Sequence, residues 1–157
     1  MSDVLQTDID EGVTEFITAT IGGQVFGVPI SQVQDVFTPE MMTKVPLAAP
    51  EIAGVLNLRG RIVTAIDMRE RLSLPVNEDE NERMAVGIES GNESYGLLID
   101  SIGEVLRLKQ SEMEPNPANL DKRWARVSAG VYRLDGQLLV VLDVSNVLDF
   151  IKEPLAA

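Results

Sequence analysis

Two aspartates stand at matching places in this chain, Asp67 in AIDMRERL and Asp143 in VLDVSNVL. Two facing carboxylates could share a proton and divide acid and base work, which is the chemistry of an aspartyl-type hydrolase. Their settings argue for something simpler. Neither lies in an Asp-Thr/Ser-Gly context: Asp67 is followed by Met68-Arg69 and Asp143 by Val144-Ser145. Each ends an apolar run just before a short polar segment, where a carboxylate caps a helix by accepting backbone amides. Separation discriminates the two readings, because a dyad needs facing carboxylates and a cap turns to its own helix. The chain contains no Cys and no His. That removes thiol nucleophiles, zinc–thiolate sites and the commonest neutral-pH base. The acids between Glu78 and Glu82 lack the ligand spacing of a calcium loop and read as a solvated connection. No Walker A or glycine-rich nucleotide loop is present, so neither metal nor cofactor is expected.

The remaining candidates are arginines. Arg59 and Arg61 flank Gly60, and Arg69 and Arg71 follow within the same stretch, GVLNLRGRIVTAIDMRERL. Guanidinium groups recognise carboxylates and carbonyls. Thirteen basic residues against 25 acidic ones give a formal charge of -12, which disfavours nucleic acid as a partner. DKRWAR, residues 121–126, is a short mixed patch in which Trp124 serves a core or a partner equally well.

The elements that position these residues are short strands. TEFITATI alternates in part and meets Gly22-Gly23; VLNL and RIVTAI flank Arg59-Gly60; MAVGIES and SYGLLID flank Gly91-Asn92; a last pair flanks Asp135-Gly136. These read as hairpins. Asn57 hydrogen-bonds its turn, and Gly60 and Gly136 are turn devices. VPISQVQDVF suits a strand, one helical turn and another strand. Glu51 to Val55 reads as one short turn. Pro115 and Pro117 enforce turns in a less regular stretch before Trp124.

At 157 residues the chain suits one domain or two small lobes sharing a core. Residues 1–12 form an acidic tail without an apolar signal core, residues 13–150 the domain, and 151–157 a terminal tail. No apolar run approaches the roughly 20 residues of a membrane helix, so an intracellular protein without membrane insertion is expected. The domain is internally repeated. FGVPISQVQDV from Phe26 matches YGLLIDSIGEV from Tyr95, an offset of 69, and GVLNLRGRIVTAIDMRERL matches GVYRLDGQLLVVLDVSNVL from Gly130, an offset of 76. Two similar β-rich lobes follow, over about 13–75 and 83–150, with strands free to exchange. Closed or nearly closed small barrels would protect their edges, and the groove between them is the natural recognition surface.

These motifs carry a resemblance. NLRGRIVTAIDMRERL, FGVPISQVQDV and YGLLIDSIGEV, in this order and spacing, resemble the CheW family of bacterial chemotaxis coupling proteins over residues 14–150. The resemblance implies an all-β fold with short helices, built as two packed five-stranded SH3-like β-barrel subdomains. It implies a cytoplasmic adaptor without catalysis. Its partners would be the cytoplasmic tips of chemoreceptors, the regulatory domain of the histidine kinase CheA, and other CheW-like domains in array rings. Receptor contact is implied at Val33, Arg59, Met84, Gly96 and Val105. Thr64 and Met68 depart from the family's usual Pro and Leu, which bears on strand rigidity and packing. The alternatives are an aspartyl-type enzyme using Asp67 and Asp143, and a CheW-like regulatory module from a larger signalling protein.

Overall fold

The computed structural model describes residues 12–75 and 83–152; the expected tail before Gly12, the acids at 78–82 and the chain after 152 lie outside the described residues. Among the described residues ten strands are joined by turns and short helices. They are β1 (Val13–Ile21), β2 (Gln24–Pro29), β3 (Val33–Phe37), β4 (Ile52–Leu58), β5 (Arg61–Asp67), β6 (Met84–Ser90), β7 (Glu93–Ile99), β8 (Ser101–Lys109), β9 (Ser128–Leu134) and β10 (Gln137–Leu142). The helices are α1 (Met68–Arg71), α2 (Lys122–Val127), α3 (Val144–Val147) and α4 (Asp149–Lys152). Three hairpins turn on two central residues with positive φ: Gly22-Gly23, Arg59-Gly60 and Gly91-Asn92. That backbone matches the twist of the flanking strands. Ile52, expected in a turn, already pairs with Ile66 in the β4–β5 ladder.

The strands form two five-stranded sheets, ordered β8-β1-β2-β10-β9 and β3-β6-β7-β5-β4. The internal repeat maps β1–β5 onto β6–β10, and this mapping turns the first order into the second. Each sheet therefore mixes the halves of the chain: β1 and β2 join strands from the second half, and β6 and β7 join strands from the first. Each sheet has two joins between the halves, one parallel (β2 with β10, β5 with β7) and one antiparallel (β1 with β8, β3 with β6), and the remaining ladders are antiparallel.

Period-two alternation sends side chains to separate cores. On β7, Tyr95, Leu97 and Ile99 enter the large central cluster, while Leu98 joins Phe37, Leu56, Val63, Ala65 and Ala85 in a smaller one. On β10, Val140 and Leu142 face the centre, while Leu139 and Val141 meet Phe16 and Tyr132. The central cluster takes residues from both sheets, among them Ile21 and Phe26 from one and Ile66 and Ile88 from the other.

The structure corrects the expected pair of SH3-like β-barrels. Among the described residues neither sheet closes: β8 and β9 end one order, and β3 and β4 end the other, with no ladder between the ends. Closure was expected because open edges invite foreign strands. Here the edges are protected by other means. Thr43 and Val55 exchange two backbone hydrogen bonds of 2.8 Å on the outer side of β4. Glu114 and Val131 do the same on β9, at 2.8 and 2.9 Å. Gly54 and Gly130 make room, since a Cβ on either would run into the carbonyl of the bridging segment. The other two ends carry charge, with Asp35 on β3 and Glu104, Arg107 and Lys109 on β8. Charged edges repel added strands.

Candidate functional site

The two arginines around Gly60 converge on one carboxylate. Asn57 Oδ1 accepts from the Gly60 amide at 2.8 Å and pins the β4–β5 turn. Arg59 stands in the left-handed region at φ 56° with its side chain 76% exposed. Arg59 Nη1 lies 3.6 Å from Asp35 Oδ2, and Arg61 Nη2 lies 3.8 Å from the same oxygen. Asp35 Oδ1 is buried without a hydrogen-bond partner. It rests against Gly87, its register partner on β6, where a Cβ would collide with it. At such separations an exposed pair contributes about 0–1 kcal/mol. Arg59 is therefore held loosely and is available to an outside acceptor, while Arg61 remains to neutralise Asp35.

β3 supplies the apolar side of this surface. Val33 is half-buried against the central cluster, and Val36 is exposed. Ile62, beside Arg61, is 62% exposed. The other expected contact residues lie elsewhere. Val105 is 47% exposed on β8, in the other sheet. Met84 opens β6 opposite Ile99, and its Sδ accepts weakly from Thr38 Oγ1 at 3.8 Å. Gly96 is inside: a Cβ there would lie 3.1 Å from Phe37 Cζ and 3.4 Å from Val63 Cγ1. Asp35 is the residue that sequence reasoning missed. Its acid recurs at Glu104 in the repeat, but nothing local ties it to arginines more than twenty positions away.

Asp67 and Asp143 each serve a helix. Asp67 Oδ1 accepts from the amides of Arg69 (3.0 Å) and Glu70 (3.4 Å), and Asp67 Oδ2 lies 3.5 Å from Arg83 Nη1. Asp143 Oδ1 accepts from the Asn146 amide at 3.2 Å. Asp67 ends β5 and Asp143 directly follows β10, strands of different sheets. Nearby, Arg69 makes a fork with Asp100, Nε to Oδ1 at 2.9 Å and Nη2 to Oδ2 at 2.6 Å. Asp100 Oδ2 also accepts from the Gly22 amide at 2.8 Å, joining the two sheets. The Arg69 hydrogen bonds, helped by the Gly22 amide, hold the Asp100 carboxyl below the usual carboxylate range, against the opposing effect of burial. The same hydrogen bonds raise Arg69. Arg71 donates to the carbonyls of Val147 and Asn146, both at 2.9 Å, satisfying the end of α3.

Two open sheets with interleaved strands, a shared core and a charged, partly apolar edge define a β-sheet recognition domain. The chain belongs to the CheW-like domain family, which it matches over residues 15–152. It is 29% identical over 135 residues to the chemotaxis protein CheW of Bacillus subtilis strain 168, covering 86% of each chain. It is 26% identical over 139 residues to that of Helicobacter pylori, covering 88% of this chain and 84% of the relative. The fold is that of the scaffolding protein TtCheW from Thermoanaerobacter tengcongensis, with a TM-score of 0.74, 22% identity and coverage of 82% and 83% of the two chains. The chain is thus a CheW-type adaptor, a scaffold without catalysis, and the aspartyl-enzyme reading has no support.

Proposed function

We propose that this adaptor couples the cytoplasmic tips of chemoreceptors to the regulatory domain of the kinase CheA, in the cytoplasm, recruited to membrane-associated receptor arrays where other CheW-like domains can adjoin it. Among the described residues no helix is long and apolar enough to cross a membrane. The observation that carries the receptor side is the convergence of Arg59 and Arg61 on Asp35 beside the edge strand β3. A receptor helix can lay an apolar stripe along Val33 and Val36 while Arg59 orients it through a carboxylate or carbonyl. Val105 offers a second contact from β8. Met84 and Gly96 act from beneath, by fixing the strands that carry β3. Holding receptor and kinase in one geometry lets receptor state bias kinase activity.

The test is a paired binding assay with a receptor signalling fragment and the CheA regulatory domain. Arg59→Glu keeps a non-glycine residue in the same left-handed turn, so its circular dichroism should stay native. Receptor affinity should fall about tenfold, the effect of losing roughly 1.4 kcal/mol, with kinase binding retained. Arg59→Gly, which removes the charge and relaxes the backbone, should weaken receptor binding in the same direction. Unchanged receptor affinity in two natively folded variants rejects the assignment.

A further inference from the structure

The internal repeat gives the molecule two equivalent corners, and they are built differently. The first-block offset places Ser31 on Asp100, Glu89 on Thr20 and Gly91 on Gly22; the second-block offset places Ser145 on Arg69. At one corner the Arg69–Asp100 fork fills the space between the sheets, with both side chains only 20% exposed. Arg69 Nη1 adds a bond to the Pro75 carbonyl at 2.8 Å. At the other corner two serines stand in place of the ion pair. There the sheets leave an open cavity of about 400 Å³, lined by Ser31, Gln32, Gln34, Glu89, Ser90 and Ser145 among others.

The cavity wall has a definite chemistry. It carries hydroxyls, amides and one carboxylate, and among the described residues no Lys or Arg lines it. Glu89 Oε1 accepts from Gln34 Nε2 at 2.8 Å, which holds the carboxylate at the rim. A single carboxylate is too few for a calcium or magnesium site. An anion would find hydroxyl and amide donors but no cationic side chain, and would be opposed by Glu89 and by the chain's charge of -12. A guanidinium meets hydroxyl, amide and carboxylate acceptors, with Val33 and Val144 beside them, and its planar fork matches a carboxylate flanked by hydroxyls.

We propose that this cavity is the seat of an arginine side chain delivered by a protein partner, which completes from outside the corner that Arg69 completes from within. Gln32 and Gln34 flank Val33 on β3, so the seat adjoins the surface assigned above to the receptor. The source of the arginine rests on that reading; the chemistry of the seat does not.

The experiment titrates the ¹⁵N-labelled full chain with N-acetyl-arginine methylamide and, separately, with its uncharged citrulline counterpart. The arginine compound should shift the amides of Ser31, Glu89 and Ser145 saturably, with a Kd on the order of millimolar. The citrulline compound should bind roughly tenfold more weakly, as loss of charge assistance implies. Glu89→Gln, at an exposed position, should weaken the arginine compound by a similar factor. The double variant Ser31→Asp/Ser145→Arg rebuilds the fork of the opposite corner; it should raise the Tm and abolish the shifts. Equal binding of citrulline, no saturable shift at these amides, or full binding by a folded Glu89→Gln or double variant would each overturn the proposal. If the wild type shows the arginine shifts but does not bind a receptor fragment, the receptor reading falls and the seat stands.

Discussion

Gly96 shows how a residue with no side chain can govern a contact surface. It sits in the middle of β7, between Gly87 on β6 and Ala65 on β5, and its missing Cβ leaves room for the Phe37 ring. Phe37 ends β3, the strand that presents Val33 and Asp35. Gly96→Ala would need its neighbours to give by a few tenths of an ångström. Gly96→Val adds the three carbons of an isopropyl group to a closed core, an overpacking that costs about 1–3 kcal/mol. Urea unfolding of Gly96→Val should show that loss, and Phe37→Leu in the same chain should restore part of it. A contact residue at the surface would leave stability within about 0.5 kcal/mol, so an unchanged midpoint would refute the buried role.

At the scale of elements, the two short helices depend on their caps. Each has four residues, too few to persist without tertiary support and a satisfied N-terminus. Asp67 serves two amides and sits near Arg83, whereas Asp143 serves one amide and the Asn146 side chain. Asp67→Ala should therefore cost more than Asp143→Ala within the usual cap range of about 0.5–2 kcal/mol. Asn at either position should recover most of the loss, because an amide oxygen caps as well as a carboxylate. Thermal or urea unfolding of the four variants measures this order; Asn variants as weak as the Ala ones would mean that charge, not capping, is what these positions supply.

The same scale explains what the sequence could disclose. Turns and caps are local: Gly22-Gly23 or Gly91-Asn92 announces a hairpin because two positive φ values are needed side by side. The repeat was legible because it preserved Gly, Asp and apolar positions in order, and it disclosed two similar halves of short strands; five strands to each came only with the family resemblance. Sheet order was not legible. Parallel pairing of β2 with β10 depends on packing between residues more than a hundred positions apart. The expectation of closed barrels failed for a related reason: the bridges Thr43–Val55 and Glu114–Val131 come from irregular segments whose role appears only when the chain is folded. α2 was hidden behind prolines, although Trp124 within it packs on Phe26 at a centroid distance of 5.6 Å and donates to the Leu72 carbonyl. Of the candidate surface, Val33 and Arg59 could be named from motifs, while Asp35 needed the register of β3 on β6.

For the whole molecule, the consequence of interleaved strands is that the sheets cannot separate as independent lobes. Their relative position depends on the shared core and on the few polar links across it, of which Arg69–Asp100–Gly22 is the most completely bonded. The Asp100 carboxyl is held below its ordinary value in the folded chain. Its stabilising contribution is therefore fully present above the usual carboxylate range and is lost as pH falls through the depressed folded value. Asp100→Asn should remove this contribution. The variant should be less stable than the wild type by about 1–3 kcal/mol near neutrality, the effect of breaking a partly buried charged hydrogen bond. The gap should narrow in acid, where the wild-type carboxyl protonates and also gives up the fork. Arg69→Met should behave alike, and the double variant should cost less than the sum of the two, because both remove one interaction. Urea unfolding across the acid range tests all three. A gap independent of pH, or fully additive losses, would show that the sheets are held by the apolar core alone and that the fork is incidental.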